Sequence, residues 1–340
     1  MSTKTLQKSE YEKFDVDSRL HYFKPNNAKK EFNFASELST SLAQDSKFIS
    51  PKFFYDKTGS ELFDKICTLP EYYLTRTEIQ ILKKLRHELP SHLDDDFRLV
   101  ELGSGSATKT RLLLDILHAR QHKTEYFPID ISEILESSSK DLLKSYSKLH
   151  ITGIVDTYEN GLEFLKEYDG KNHLIVFLGS SFGNFCPKDG LDFLQKINST
   201  MKESDLFLIG LDLIKEKSIL EKAYDDSQGV TGQFNLNVLS RINEELHADF
   251  DLENFEHFAQ YNENEKRIEM YLRSLSNQSV SIQKAQLSIK LKKNELIHTE
   301  NSHKFLVNDI ETMMEQSGFT IKQIWLDDNR HYAMVLASKS

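Results

Sequence analysis

The chain has 340 residues, of which 39% are hydrophobic and 28% are charged, as is typical of a soluble globular protein with one large domain or two interlocked ones. Its formal net charge of −10 argues against a nucleic-acid partner, because such proteins usually present a basic face. The N-terminus is polar and no apolar run is long enough to span a bilayer, which predicts a cytoplasmic protein with no membrane partner. The chain has two cysteines, Cys67 and Cys186, and neither has zinc-ligand spacing. We therefore expect no disulfide framework and no metal.

The first part of the chain contains two kinds of segment. Residues 1–20 are rich in lysine, serine and glutamate, and we expect a flexible N-terminal arm there. Residues 53–64 and 69–78 are dense in aromatic side chains, including Tyr55 and Tyr72. Two interpretations are open for them: they fill a core ahead of a helix, or they form a lid whose tyrosines line a small-molecule pocket.

From about residue 98, apolar runs of strand length alternate with helical patterns. The five runs are Arg98–Leu102, Thr124–Ile129, Ile151–Val155, Leu174–Gly179 and Leu206–Leu211. This alternation predicts a parallel sheet with helices on both faces. Ligands of such sheets bind at the carboxyl ends of the strands, where the sequence places Glu101, Gly103, Asp130 and Gly179.

The first loop of this region follows Glu101 and contains Gly103 and Gly105. Asp130 comes 25 positions after Gly105 (130 minus 105), where a doubly wound sheet places the acid that binds ribose hydroxyls. A dinucleotide would place its pyrophosphate beside Glu101, and Thr108 replaces the third glycine of the dinucleotide fingerprint. S-adenosylmethionine (SAM) has no phosphate and carries two cationic groups, so the loop favours SAM. The alternative is a tight turn with a solvated acid.

A second candidate loop, Leu178–Phe185, follows the fourth strand and contains Gly179 and Asn184. Two glycines and two serines at a strand end indicate close approach of the backbone to another group. Asn184 both donates and accepts hydrogen bonds, so it can bind a carboxylate or an amine. A purely structural turn is the alternative.

After the fifth strand, an insertion of about 214–303 interrupts the pattern, which then returns with a helix and two closing strands. The short link between these strands favours an antiparallel pair. In the insertion, Tyr224 and Phe234 stand among ordinary helix-flanking residues. Glu300 and Ser302 would face the same way in an extended segment, which suits a polar heterocycle, although these residues alone favour a solvated loop.

Together these segments resemble the histidine Nα-methyltransferase family, which makes hercynine on the ergothioneine pathway. The resemblance runs from about residue 50 to the C-terminus. Its motifs are Phe54–Asp56, Gly59–Asp64, Leu69–Tyr73, Glu101–Gly105, Lys109–Arg111, Gly183–Phe185, Ala223–Asp226, Asn235–Leu239, Arg267–Met270, and Thr299-Glu300 with Ser302, Lys304 and Phe305.

The loops and the resemblance together give a set of expected site residues. The expected SAM-binding residues are Glu101, Gly103, Gly105, Lys109, Asp130, Asp156 and Tyr158. The expected substrate-binding residues are Tyr72, Gly179, Asn184, Tyr224, Phe234, Met270, Glu300 and Ser302. The resemblance implies that Asn184 and Tyr224 bind the carboxylate, that Glu300 with Ser302 binds the imidazole, and that Tyr55 lies near the reacting amine. We expect Tyr55 and Asn184 at the catalytic centre, with Tyr55 orienting the amine.

The chain departs from the family pattern after the third strand. There the family has an acid directly before an aromatic residue, and this acid holds the adenine. In this chain the order is Asp156-Thr157-Tyr158, so Thr157 stands in the acidic place. Two alternatives follow: Asp156 serves after a shift in register, or the adenine amine is held differently.

We therefore expect an α/β fold with a Rossmann-like SAM-dependent methyltransferase sheet, antiparallel closing strands and a second, substrate-binding lobe. The expected domains are an arm (1–20), the substrate-binding lobe (21–75 and 214–303) and the SAM-binding domain (76–213 and 304–340). The resemblance implies trimethylation of the α-amine of L-histidine to hercynine, and we expect a monomer without nucleic-acid or membrane partners. The alternatives are the same fold acting on another amino acid, such as tryptophan or a modified histidine, and a catalytically silent SAM-binding regulator.

Overall fold

A computed structural model describes residues 10–26, 34–93, 96–105, 107–131, 134–166 and 171–340. These residues form two compact units. The described parts of Met1–Ala28, Arg76–Leu213 and Phe305–Ser340 make up the first unit, and those of Lys29–Thr75 and Ile214–Lys304 make up the second. No helix in the described ranges is both long and apolar enough to cross a membrane.

The first unit is built on a nine-stranded sheet. Its strands, numbered along the whole chain, are β1 (Tyr11–Asp17), β2 (Leu20–Pro25), β3 (Phe97–Leu102), β4 (Thr124–Ile129), β5 (Leu149–Ile154), β6 (Asn172–Phe177), β7 (Leu206–Asp212), β13 (Phe319–Leu326) and β14 (Tyr332–Lys339). They lie in the order β1-β2-β5-β4-β3-β6-β7-β14-β13. The strands from β2 across to β7 pair in parallel, whereas β1, β14 and β13 are antiparallel to their neighbours. The prediction of a parallel sheet with antiparallel closing strands is confirmed.

Helices accompany this sheet: α3 (Tyr73–Glu88), α4 (Thr108–Arg120), α5 (Ile134–Ser145), α6 (Tyr158–Leu165), α7 (Pro187–Thr200) and α10 (Val307–Gln316). The central strand β3 is buried along its whole length. Its side chains alternate between two buried layers, with Leu99 in one and Val100 and Leu102 in the other. Because both faces are covered, even the charged residues Arg98 and Glu101 of this strand are buried. In parallel sheets of this kind, ligands bind beyond the carboxyl ends of the strands.

The structure corrects the prediction of a flexible arm over residues 1–20. Residues 1–9 lie outside the described part of the chain, but β1 and β2 form an antiparallel hairpin, and β2 pairs in parallel with β5. Tyr11 and Leu20 are buried, whereas the other six residues of β1 are exposed. Because only one residue of the edge strand β1 is buried, its composition is as polar as that of a disordered terminus. Composition therefore did not reveal the strand. The hairpin also places residues 21–25 in the first unit rather than in the expected substrate lobe.

The second unit contains a three-stranded antiparallel sheet, a hairpin and four helices within its described residues. Its strands are β8 (Phe255–Asn262), β9 (Arg267–Ser274), β10 (Gln278–Ile282), β11 (Leu287–Leu291) and β12 (Leu296–His303). Its helices are α1 (Phe34–Leu42), α2 (Lys57–Ile66), α8 (Lys217–Tyr224) and α9 (Val230–Leu246). The sheet has the order β12-β9-β8, and α9 contributes Val238, Leu239 and Ile242 to a core that also contains Phe54 and Ile268. The helical spacing of these α9 residues places them on one apolar face.

The start of α2 fixes the segment that carries Tyr55. The Asp56 carboxylate caps the helix by accepting a hydrogen bond from the Gly59 amide at 2.6 Å, and it accepts another from Asn237 Nδ2 of α9 at 2.9 Å. Gly59 is required by space, because a Cβ atom there would lie 1.7 Å from the Phe54 carbonyl oxygen. The backbone around Tyr55 is therefore held by the Asp56 cap of α2 and by the close contact of Gly59 with the Phe54 carbonyl group.

We predict that Gly59→Ala lowers the free energy of unfolding by about 2 kcal/mol or more, because the Phe54 backbone has to move and overpacking usually costs about 1–3 kcal/mol. Chemical denaturation measures this change. The control is Thr58→Ala at an exposed position of the same helix, where a change within about 0.5 kcal/mol is expected. Equal stability of the two variants would contradict the steric constraint.

Candidate active site

The loop after β3 contains two glycines, Gly103 and Gly105, whose surroundings differ. Gly103 and Gly105 have φ angles of +74° and +48°, in the left-handed region that favours glycine. A Cβ atom on Gly103 would lie 2.8 Å from the hydroxyl oxygen of Tyr158, whereas one on Gly105 would meet nothing within 4 Å. The backbone at Gly103 therefore makes room for Tyr158, whereas the backbone at Gly105 faces open space.

Asp130 lies beside this loop. It follows β4, is half-buried, and its Oδ2 atom accepts a hydrogen bond from the Ser104 amide at 3.1 Å. Burial, followed by the nearby Asp130 carboxylate, raises the pKa of the Tyr158 hydroxyl above its ordinary value. The structure thus brings together Gly103, Gly105, Asp130 and Tyr158, which are far apart in sequence.

Glu101 is buried and not a solvated acid, so that alternative is wrong. Its Oε2 atom accepts hydrogen bonds from the hydroxyls of Thr110 at 2.7 Å and Tyr126 at 2.5 Å. Burial raises its pKa to about 7, although these two hydrogen bonds and Lys109 lower it. Glu101 of β3 is therefore hydrogen-bonded to both α4 and β4 inside the core. Its contact with SAM stays a prediction.

The structure explains why Thr157 stands where the family pattern has an acid, shortly after β5. Thr157 is the N-cap of α6, and its hydroxyl accepts a hydrogen bond from the Asn160 amide at 3.4 Å. The Asp156 carboxylate accepts hydrogen bonds from Asn160 Nδ2 at 2.9 Å and, on its other oxygen, from the Tyr11 hydroxyl at 2.7 Å. Asp156 is therefore held by α6 and β1, and its predicted role in cofactor binding stays a prediction.

Glu78 is a buried residue that sequence reasoning did not single out. Its carboxylate accepts hydrogen bonds from Lys109 Nζ at 2.8 Å, from the Gly179 amide at 2.9 Å and from the Tyr332 hydroxyl at 2.8 Å. A Cβ atom on Gly179 would lie 3.0 Å from Lys109 Nζ. Glu78 thus holds one predicted SAM-binding residue against one predicted substrate-binding residue. A lone acid in a helix of mixed polarity gives no signal of this in the sequence.

The loop after β6 continues into a short 3-10 turn, Ser181–Asn184. Gly179 has a φ angle of +82°, which any other residue rarely adopts. Asn184 is half-buried at the end of the turn, and its side-chain amide hydrogen-bonds to no other described residue. Its donors and acceptor are therefore left for a ligand, as expected for a binding residue, and its role stays a prediction.

In the second unit, aromatic side chains surround Tyr55. Phe234 is buried, and its ring centroid lies 4.8 Å from that of Phe54 and 5.9 Å from that of Phe63. Tyr55 packs edge-on against Phe234 and Phe63 at 5.8 and 5.6 Å but keeps 40% of its surface exposed. Tyr72 is buried, and its ring contacts that of Tyr224 at 6.2 Å. The buried rings confirm the interpretation as core, and a ligand-facing role for the exposed Tyr55 ring stays a prediction.

The segment around Glu300 is not a solvated loop, so that expectation is wrong. It forms β12, which pairs with β9 and has a register irregularity between His298 and Glu300. Ser302 is buried, and Met270 of β9 lies opposite Glu300. The strand is polar although it is buried: Glu300 and Ser302 are both buried, and Ser302 hydrogen-bonds to Tyr224 and Lys304.

Glu300 is a buried carboxylate, 8% exposed, that accepts no hydrogen bond from any other described residue. Burial raises its pKa to about 7, although the nearby Lys304 ammonium lowers it. Buried polar groups in proteins are almost always hydrogen-bonded. A donor from outside the described residues, either water or a ligand, is therefore the expected partner of this group.

Ser302 belongs to a buried triangle with Tyr224 and Lys304. The two hydroxyl oxygens lie 2.7 Å apart, and Lys304 Nζ donates to Tyr224 Oη at 2.9 Å and to Ser302 Oγ at 2.8 Å. Behind Tyr224, His257 Nδ1 accepts from Asn235 Nδ2 at 2.9 Å, so its Nε2 carries the proton and donates to the Tyr224 carbonyl oxygen at 2.8 Å. Burial lowers the pKa of His257, which keeps the ring neutral in this arrangement. Tyr224 is thus fixed at both its backbone and its hydroxyl.

The raised pKa of Glu300 predicts a pH-dependent stability. The folded chain keeps a proton on Glu300 that the unfolded chain releases between pH 4.5 and about 7, so stability is lost as pH rises through this window. Glu300→Gln removes that loss, and the difference in unfolding free energy between variant and wild type should grow by roughly 2 kcal/mol between pH 5 and 7.5. Denaturation at several pH values tests this. Glu61→Gln, at an exposed site of the same unit, is the control, and a flat difference for Glu300→Gln would contradict the prediction.

Known proteins are similar to this chain over most of its length. Residues 34–339 match a family described as histidine-specific methyltransferase, SAM-dependent. A solved structure of magnesium protoporphyrin IX methyltransferase from Synechocystis PCC 6803 aligns with 85% of this chain and 98% of its own, with a TM-score of 0.45 and 11% identity. The histidine N-alpha-methyltransferase of Mycobacterium tuberculosis is 38% identical over 304 residues, covering 89% of this chain and 94% of that protein. That of Mycolicibacterium smegmatis is 37% identical over 302 residues, covering 88% and 93%. The chain belongs to the family of histidine-specific, SAM-dependent methyltransferases.

Proposed function

We propose that this protein transfers three methyl groups from SAM to the α-amino nitrogen of L-histidine and so forms hercynine. Membership of the family supports the cofactor and the substrate class. The observation in this chain that carries the choice of histidine is Glu300. It is a buried carboxylate without a hydrogen-bond donor among the described residues, and Ser302 lies two positions later on the same strand.

The residues of the first unit fit SAM. The backbone at Gly105 faces open space, and the half-buried Asp130 carboxylate beside it suits the ribose hydroxyls. The acids Glu101 and Asp130 near the loop disfavour a pyrophosphate. When bound, SAM supplies a methyl group on a sulfonium, which is already activated for displacement. The chain therefore needs to bind and orient the reactants rather than to activate them.

The residues of the second unit suit an imidazole ring and an amine. Glu300 accepts the ring N–H, and a charged acceptor makes this hydrogen bond strong. The α-amine reacts only after it has lost its proton, because an ammonium has no lone pair. Tyr55, exposed at the edge of its aromatic cluster, orients the amine through its hydroxyl, directly or through water. This role does not require Tyr55 to act as a strong base.

We also propose that the protein acts as a cytoplasmic monomer without a nucleic-acid partner. The net charge of −10 supports the last point.

The direct test is to incubate the purified protein with SAM and each of the twenty amino acids and to identify products by mass. We expect histidine to gain three methyl groups. Methylation of tryptophan or another amino acid in preference to histidine would contradict the substrate assignment. Absence of any methyl transfer from a preparation that binds SAM would instead indicate a silent SAM-binding regulator.

We predict that Asp130→Ala weakens SAM binding by about 1.5–3 kcal/mol, the range for hydrogen bonds to a charged group. Calorimetry with the folded variant tests this, and Asp192→Ala, at an exposed position of α7, should bind SAM normally. An analogue of SAM without ribose hydroxyls should bind the wild type and Asp130→Ala equally. If the variant keeps the wild-type affinity for SAM, Asp130 does not hold the ribose.

We predict that Glu300→Ala reduces histidine methylation and relaxes selectivity towards larger apolar rings. A site built to bind an N–H group rejects analogues that lack it, because its carboxylate is then left unpaired. A competition assay with histidine, phenylalanine and tryptophan compares the wild type with the variant. Glu295→Ala, just before β12, is the control and should keep the histidine preference. An unchanged preference in Glu300→Ala would remove the role of this strand in specificity.

A further inference from the structure

The N-terminal hairpin of β1 and β2 is attached to the loop that follows β5. The Val155 amide donates a hydrogen bond to the Phe23 carbonyl oxygen at 2.9 Å, and the Tyr11 hydroxyl donates one to Asp156 Oδ2 at 2.7 Å. The rings of Tyr11 and Phe23 both pack against that of Phe164 in α6, each with ring centroids 4.8 Å apart. The hairpin therefore holds a loop in which we expect cofactor-binding residues, although the function proposed above gives the hairpin no role.

The loops after β3, β4 and β5 lie side by side at the carboxyl end of the sheet. These strands are parallel neighbours in the order β5-β4-β3. The Gly103 amide donates to the Ile129 carbonyl oxygen at 3.0 Å, and the Asp130 amide donates to that of Ile154 at 3.1 Å. Neighbouring strands are about 4.8 Å apart, so each loop lies about one strand spacing from the next. Asp156, two residues beyond β5, therefore lies on the side of Asp130 that faces away from the loop after β3.

This order of loops matches the order of the parts of SAM. The proposed function places the ribose hydroxyls at Asp130. The ribose carries the sulfonium and methionine part at one end and the adenine at the other, so a methionine part near the loop after β3 directs the adenine towards β5. Asp156 is half-buried, so a ligand can reach its carboxylate. The 6-amino group of adenine donates hydrogen bonds and a carboxylate accepts them, so Asp156 suits the base.

The contacts of Asp156 leave one acceptor position on its carboxylate. An ionised carboxylate has about four lone-pair sites, two on each oxygen. Oδ1 accepts hydrogen bonds from the Thr157 amide at 2.7 Å and from Asn160 Nδ2 at 2.9 Å, whereas Oδ2 accepts one from Tyr11 alone among the described residues. Burial, followed by the hydrogen bond to Asp156, raises the pKa of the Tyr11 hydroxyl, which therefore stays a donor. Tyr11 thereby fixes the direction of the remaining lone pair on Oδ2.

We propose that Tyr11 is a positioning residue of the cofactor site, which orients the Asp156 carboxylate so that Oδ2 accepts a hydrogen bond from the adenine amino group of SAM. The N-terminal hairpin is then part of the SAM site, although it lies before residue 34, where the family match begins. This inference rests on the SAM site of the proposed function. Tyr11 acts through Asp156 and itself touches neither the cofactor nor the substrate.

Calorimetry with S-adenosylhomocysteine (SAH) and with the SAH analogue whose base lacks the 6-amino group tests this. The ratio of the two dissociation constants reports the contact with the amino group, because a general loss of structure weakens the binding of both ligands alike. We expect the wild type to bind SAH about tenfold or more tightly than the analogue, as for a hydrogen bond to a charged group. In Asp156→Ala this preference should disappear. In Tyr11→Phe, which removes only the hydroxyl and keeps the ring against Phe164, it should fall by about threefold or more.

The matched control is Tyr146→Phe. The Tyr146 hydroxyl donates to the Asp115 carboxylate at the same distance of 2.7 Å, but Tyr146 lies shortly before β5, at the amino end of that strand. This variant should keep the wild-type preference for SAH over the analogue. In the double variant of Tyr11→Phe and Asp156→Ala, the ratio should equal that of Asp156→Ala, because both substitutions act on the same contact.

Two results would overturn the inference. If Tyr11→Phe keeps the wild-type ratio, the hairpin does not act on the base. If Asp156→Ala keeps it, another residue holds the amino group, and this result counts whether or not Tyr11→Phe folds. Neither ligand carries the methyl group, so the measurements need no turnover. Failure of the wild type to methylate histidine would therefore contradict the proposed function without changing the ratio of dissociation constants.

Discussion

The buried carboxylate of Glu78 accepts the hydrogen bonds on which the loops at the carboxyl end of the first unit's sheet depend. It belongs to α3 and accepts hydrogen bonds from Lys109 in α4, from the Gly179 amide after β6 and from Tyr332 in β14. Elements that are distant in sequence are thereby fixed to one group. Removing one partner of a buried ionic pair usually costs about 3–5 kcal/mol. The positions of the loops after β3 and β6 therefore depend on an acid that belongs to neither loop.

Glu101 and Glu300 show how two acids with similarly raised pKa values differ in use. Both are buried, and burial raises the pKa of each to about 7. Glu101 accepts hydrogen bonds from Thr110 and Tyr126, whereas no described residue donates one to Glu300. The raised pKa alone does not separate Glu101, which the protein supplies with donors, from Glu300, for which we propose a ligand as donor. The hydrogen-bond partners do, because a buried charge that the protein leaves without a donor needs one from elsewhere.

The sequence predicted those parts of the fold in which local pattern and burial agree. The strands from β3 to β7 are mostly apolar because most of their residues are buried, so their pattern was readable. The strand β12 was misread as a loop, because Glu300 and Ser302 are polar and yet buried. The partner of Ser302 and Lys304 is Tyr224, which lies 78 and 80 positions away, and no local pattern encodes such a contact.

The edge strand β1 has a consequence for how the first unit behaves among other copies of itself. The sheet would otherwise end at β2, whose backbone donors and acceptors would invite pairing with a strand of another molecule. β1 covers that edge and itself presents Glu12, Lys13 and Asp15 to solvent, charges that oppose further strand addition. Tyr11 anchors this cover through Asp156 and the ring of Phe164. The family match begins only at residue 34. A chain shortened to that point would therefore expose a bare sheet edge and lose its protection against aggregation.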